Sequence, residues 1–266
     1  MSPGLERIAA KARQEPKLCF TSLAHHIDSE RLWRNLCHVP CHTAPGSDGQ
    51  TVDDLKQDFV AWSAATLRAV HTQGYRPPPV RRAYIPKPGK QERRPLGVPC
   101  IGDRVLQRSV ADVLTAIYEQ DFLPCSYGGR PGVGAHPALA TLHEVIAGKP
   151  VSWIYEADLR NFFGSLDHAW LLRFVQHRVG DPRILRLIRR WLKAGVLEDG
   201  SIEPSEEGVP QGGSISVILR RFLKKNTPHD NAEAGRIKIS HLGNAGWRSK
   251  RRSTACMAFL PSAMPF

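Results

Sequence analysis

The first apolar stripe, Leu32, Trp33 and Leu36, falls in a stretch (5–42) that reads as weakly helical. Gly46-Ser47-Asp48-Gly49 then signals a turn. Thr51 and Asp54 make a capping-box start, and Leu55, Phe59, Trp62, Thr66 and Val70 recur at helical spacing until Gly74. The Asp53-Asp54 pair therefore reads as helix-start chemistry and not as a metal site. Pro77, Pro78 and Pro79 stiffen the way into a hairpin, with Arg81–Pro86 and Arg93–Val98 as strands and Lys87-Pro88-Gly89-Lys90 as the turn. Asp103 is expected to cap the next helix. Its core stripe is Leu106, Val110, Val113, Leu114 and Ile117, with Arg104, Gln107 and Arg108 on its surface.

A glycine-rich loop, Tyr127 to Gly132, lacks the Gly-Lys-Ser/Thr of a nucleotide-binding P-loop. A helix follows from about Ala135, with Leu139, Leu142, Val145 and Ile146 expected inside, and Gly148-Lys149-Pro150 closes it. Further on, Leu166, Trp170, Leu171, Phe174 and Val175 form one helical pattern. Asp181-Pro182 opens another, carrying Ile184, Leu185, Ile188, Trp191 and Leu192 up to Gly195. Asp199-Gly200 marks a two-residue hairpin.

Between these helices lies the stretch 151–168, VSWIYEADLRNFFGSLDH, a strand pattern ending in a carboxylate. In strand geometry Ile154, Glu156 and Asp158 share one face. Read alone, Asp158 suits a helix cap or a surface position better than a catalytic one. Glu207 to Ser214 (EGVPQGGS) places Gly212 and Gly213 beside Gln211, which lets backbone approach a ligand closely.

The formal net charge is +12, but 217–266 holds 10 basic and 2 acidic residues and so carries most of the excess. Within the body, 76–108 holds nine basic residues against two acidic, which points to a polyanion or to a solvated basic face. The six cysteines suggest no disulfide framework. Cys37-His38 and Cys41-His42 lack a second ligand pair at finger spacing and read as one helix face. With no signal peptide and no run approaching a membrane span, the sequence is expected to be intracellular and cytoplasmic.

Taken in order, the motifs resemble the reverse transcriptases encoded by bacterial group II introns. The blocks are Gly46-Ser-Asp-Gly49; Ile85-Pro-Lys-Pro-Gly89 with Arg94-Pro-Leu-Gly-Val-Pro99; Asp103-Arg104 and Gln107; Ser126 to Gly132 with His136; Glu156-Ala-Asp-Leu159 with Phe162-Phe163 and Asp167-His168; and Gly208 to Ser216. They span about 30–216. Gly129, Val133 and Gly134 depart from the family pattern, which has an aromatic and then Arg-Ser. The resemblance implies an α+β, right-hand polymerase architecture. It assigns a helical extension to 1–45, fingers to 46–150 and an incomplete palm to 151–216, and leaves 217–266 as a non-family basic tail, expected to be disordered.

By position, the resemblance implies that Asp158 is the first catalytic carboxylate, holding Mg²⁺ together with the carbonyl of Leu159; two ions are expected in an intact member. Phe163 corresponds to the gate against a ribose 2′-hydroxyl. Lys87 and Arg94 correspond to the pair on the incoming triphosphate, and Gln211 with Gly212 to the loop beneath dNTP and template. The implied partners are template or intron RNA, a DNA primer and dNTP, with no membrane. The family draws its other palm carboxylates from a Tyr/Phe-x-Asp-Asp hairpin after Pro-Gln-Gly. The residues after Ser216 contain only Asp230 and Glu233 as acids. The resemblance stops at Ser216, so the chain reads as truncated, without thumb, maturase RNA-binding or endonuclease domains. The expectation is a reverse transcriptase by descent that is inactive alone, or a non-catalytic, maturase-like RNA-binding fragment; a nonfunctional remnant is the third reading.

Overall fold

The computed structural model describes residues 2–86, 93–151, 153–159, 167–203 and 235–241, with backbone alone for 94, 153–159 and 235–241. The chain divides into two units, Met1–Asp121 with Asn161–Asn226, and Phe122–Arg160 with Thr227–Phe266.

In the first unit the helices, numbered along the chain, are α1 (Pro3–Gln14), α2 (Ser29–Cys37), α3 (Val52–Gln57), α4 (Phe59–His71), α5 (Ile101–Tyr118), α7 (His168–Gln176) and α8 (Pro182–Leu192). Their starts follow the sequence signals. Thr51 and Asp54 form a reciprocal capping box, with Asp54 N–H donating to Thr51 Oγ1 at 3.2 Å and Thr51 N–H to Asp54 Oδ2 at 2.9 Å. The run that reads as one helix is two, because the chain breaks at Asp58 between α3 and α4. Gln73, and not Gly74, takes the left-handed conformation that ends α4 (φ 57°). α2 ends at Cys37, so Cys41 and His42 lie in the following turn and not on a helix face.

α5 is the core helix, with Ile101, Val105, Leu106, Val110, Val113, Leu114 and Ile117 wholly buried and α1 and α2 packed against it. Two sequence expectations change here. Asp103 does not cap α5, which starts after Cys100; it is itself buried, and so is Gln107. A helix surrounded on most sides cannot keep one polar face in water, so its polar residues pair inside. In α7, Leu171 and Val175 are buried as expected, but Trp170 is exposed.

The strands β1 (Val80–Pro86) and β2 (Arg93–Val98) form the expected antiparallel hairpin. β4 (Val196–Glu198) and β5 (Ser201–Glu203) form another, with Asp199 (φ 48°) and Gly200 (φ 80°) at its turn. β4 pairs in parallel with β1 at Val80↔Val196, giving the sheet order β2-β1-β4-β5.

The second unit holds α6 (Ala135–Gly148) and the antiparallel pair β3 (Trp153–Leu159) and β6 (Gly235–His241). β6 corrects an expectation, for it is a strand inside the stretch 217–266 and it partners β3. Its sequence, Arg236-Ile-Lys-Ile-Ser240, alternates basic and β-branched residues, a short period-two signal that the surrounding polar composition hides. On α6 only Ala138 is buried; Leu139, Val145 and Ile146, expected inside, are exposed. Among the described residues no helix is long and apolar enough to cross a membrane.

Candidate nucleic-acid and polymerase site

The hairpin β1–β2 is held at its root by side chains that the sequence alone does not single out. The guanidinium of Arg81 donates to the Pro45 carbonyl at 2.8 and 3.2 Å. Arg82 Nε donates to Glu198 at 3.1 Å, and the Tyr84 hydroxyl donates to the same carboxylate. These two partners, Tyr84 first, hold the Glu198 carboxyl below its ordinary range. Ser47 Oγ donates to the Pro79 carbonyl at 2.7 Å. The Gly46–Gly49 block thus has a structural purpose. A Cβ on Gly46 would meet the Cys100 backbone at 2.4 Å, so only glycine lets the turn pack against the start of α5.

The root therefore pairs the charge of Arg82 with Glu198 and engages two of the three guanidinium nitrogens of Arg81 on a carbonyl. The register sets Pro86 opposite Arg93 and Ile85 opposite Arg94, so Arg94 sits one pair in from the end of the hairpin. Lys87, expected to work with Arg94, lies outside the described residues.

The block Asp103-Arg104 with Gln107 forms a buried hub. Asp103 accepts hydrogen bonds from Trp191 Nε1 at 2.6 Å, Gln107 Nε2 at 2.8 Å and Tyr75 Oη at 2.9 Å. Burial raises its carboxyl pKa, and the three donors only partly oppose that. The Tyr75 hydroxyl is pushed well up, by burial first and by the Asp103 charge second. This hub ties α5, α8 and the approach to β1 together, and its chemistry is structural.

In the glycine-rich loop, Arg130 Nη1 donates to the carbonyls of Ser126 at 2.9 Å and Leu123 at 3.2 Å, and its guanidinium lies 5.6 Å from the centre of the Phe122 ring. Tyr127 Oη donates to Thr141 Oγ1 at 2.8 Å. Gly129, a departure from the family pattern, has φ 66°, a conformation that an aromatic residue adopts only at a cost.

Asp158 and Leu159 end β3. In the β3–β6 register Asp158 stands opposite Arg236, and Glu156 opposite Lys238. The positions across from both acids are therefore basic. Among the described residues no group of three or more His, Cys, Asp or Glu could hold a metal ion. Two divalent ions need several carboxylates converging on them, and β3 places two acids, Glu156 and Asp158, at alternate positions of one strand. Phe163, Gln211 and Gly212 lie outside the described residues. Of the expected site residues, Arg94 is described in β2, and Asp158 and Leu159 are consecutive in β3.

Residues 85–240 match the family model of reverse transcriptase (RNA-dependent DNA polymerase). The chain belongs to the reverse transcriptase family. Among its relatives are protein YkfC of Escherichia coli (strain K12), 38% identical over 226 residues, covering 82% of this chain and 58% of that protein. The group II intron-encoded protein LtrA of Lactococcus lactis is 30% identical over 219 residues, covering 81% of this chain and 36% of LtrA. Nuclear intron maturase 3 of Arabidopsis thaliana is 29% identical over 126 residues, 47% of this chain and 17% of that protein. These relatives place this reverse transcriptase with the group II intron-encoded reverse transcriptases and maturases. The chain spans a little over half the length of YkfC and about a third of LtrA. The family match begins at the end of β1 and runs past Ser216 into β6, which corrects the expectation that the resemblance stops at Ser216.

Proposed function

We propose that this reverse transcriptase chain supplies fingers and the first part of a palm, binds structured intron RNA, and does not by itself add nucleotides to a primer. The observation that carries the reading is the β1–β2 hairpin. Glu198 and Pro45 accept hydrogen bonds from its root arginines, and the sequence places four more cations, Lys87, Lys90, Arg93 and Arg94, toward its tip, where they suit a polyanion. RNA shape is then read by backbone contacts from a fixed platform. The absence of synthesis follows from Asp158, whose register partner is a cation and which has no Asp-Asp pair after it within the 266 residues.

Within this reading Asp158 and Leu159 mark where the family's catalytic metal would bind, and Lys87, Arg94, Phe163, Gln211 and Gly212 keep the family roles toward triphosphate, ribose and template. A second polypeptide carrying the remaining palm acids would complete such a site.

The test is equilibrium binding of the purified chain to a folded group II intron transcript and to a shuffled RNA of equal length at about 0.15 M salt. At least a tenfold preference for the folded transcript is expected; equal affinities would remove the reading. In a parallel primer extension with Mg²⁺, no product is expected from the chain alone. Product that disappears in Asp158→Ala would show that the palm is complete enough to work.

A further inference from the structure

α8 carries a second charged surface that the hairpin does not explain. Its apolar side is fixed: Ile184, Leu187, Ile188, Trp191 and Leu192 are buried, and Trp191 is hydrogen-bonded to Asp103. Its other side carries Arg183, Arg186, Arg189 and Arg190, with Lys193 at its end. At 3.6 residues per turn these five cations fall within an arc of about 120° and a length of about 15 Å.

Like charges at i,i+3 and i,i+4 repel, and five such pairs occur here: 183/186, 186/189, 186/190, 189/193 and 190/193. Apart from Asp181, which pairs with Arg183, the neighbouring stretches of chain offer no offsetting acid. Residues 182–197 contain no acid, and neither do residues 59–91, which include the end of α4 facing α8. Two of the five are committed locally. Arg183 pairs with Asp181 at 3.0 and 3.1 Å, and Arg190 donates to the Tyr75 carbonyl. Arg186, Arg189 and Lys193 are exposed and have no partner among the described residues. Arg186 also lines a shallow groove with Gln73, Tyr75, Arg183 and Arg190, and His71 Nδ1 lies 3.5 Å from Arg183.

The geometry points to α8 as a phosphate-binding rail for RNA, separate from the hairpin. A rigid helix presents a row of guanidinium groups along one line, the arrangement that suits successive phosphates of a strand and carries no base readout. A bound phosphate backbone also removes the repulsion along the row. This inference rests on the RNA-binding reading above and adds a location to it.

The test uses the full chain and the folded intron transcript, with binding measured by fluorescence anisotropy from about 0.05 to 0.3 M salt. The triple variant R186Q/R189Q/K193Q removes the unpartnered charges. The expected result is a log–log salt slope about two units shallower than wild type and affinity roughly 10- to 100-fold weaker at 0.15 M salt. R186K/R189K keeps the charges and should keep the wild-type slope, which separates lost phosphate contacts from lost folding. An unchanged slope in the triple variant overturns the rail. A changed slope with no preference for the folded transcript keeps the rail and overturns intron-RNA selectivity. No binding of either RNA by the wild type overturns both.

Discussion

Single residues explain why several family blocks have their sequence. Asp103 must accept three buried hydrogen bonds, so Asp103→Ala should leave Trp191, Tyr75 and Gln107 unpaired and cost about 2–4 kcal/mol in denaturant unfolding. Asp181 behaves in the opposite way toward acid. Burial would raise its carboxyl, but the Arg183 guanidinium and the N–H groups of Leu23, Ala24 and Arg183 outweigh that and bring it down to about 2. A folded value below the ordinary 3.8 means that the stabilisation is complete above about pH 4 and is lost as pH falls toward 2, a loss on the order of 2 kcal/mol. Asp103, with its carboxyl raised, acts in the opposite sense and at higher pH: its contribution to stability rises as pH falls through its folded value toward about 4, and is flat below. Asp181→Asn should therefore lower stability at neutral pH and flatten the loss between pH 4 and 2, as read from urea midpoints against pH. Gln73 occupies a left-handed position, so Gln73→Gly should raise the melting temperature by relieving up to about 1 kcal/mol of strain. The roles of Thr51 and Asp181 as helix starts are legible from sequence spacing. That of Asp103 is not, because an acid near a helix start looks like a cap until α8 and Tyr75 are brought against it.

Among the elements, the two hairpins and the helix starts follow from local chemistry, namely turn residues, caps and alternation. The features that the sequence hides come from distant contacts. The parallel pairing of β4 with β1 joins residues over a hundred positions apart, and Glu198 in that strand pairs with the hairpin cation Arg82. β6 was obscured for a different reason, since a seven-residue alternation is brief against a basic, polar background. α8 reads from its apolar positions as a buried helix, and that reading passes over the clustering of its charges. Removing one member of the cluster should relieve repulsion. Arg189→Gln is expected to stabilise the chain by a few tenths of a kcal/mol at low salt, with the gain fading above about 0.5 M. Thermal melts across a salt series check this.

For the whole molecule, family membership was legible in the sequence because six ordered motifs are far harder to meet by chance than one. The candidate polymerase site was legible only as positions. Its roles come from resemblance, and the described structure adds that the acids of β3 face basic positions across the sheet. Charge is the property that unites the chain: a hairpin whose root pairs Arg82 with Glu198 and whose tip sequence is basic, and a helix whose cationic arc meets an acid, among the described residues, only at Arg183. Both suit RNA, and neither requires catalysis. The most direct measurement is the affinity of the purified chain for a folded group II intron transcript relative to a shuffled RNA of equal length, at about 0.15 M salt. A preference of tenfold or more is the predicted result. Equal binding to both RNAs would contradict structured-RNA recognition as the function of this chain.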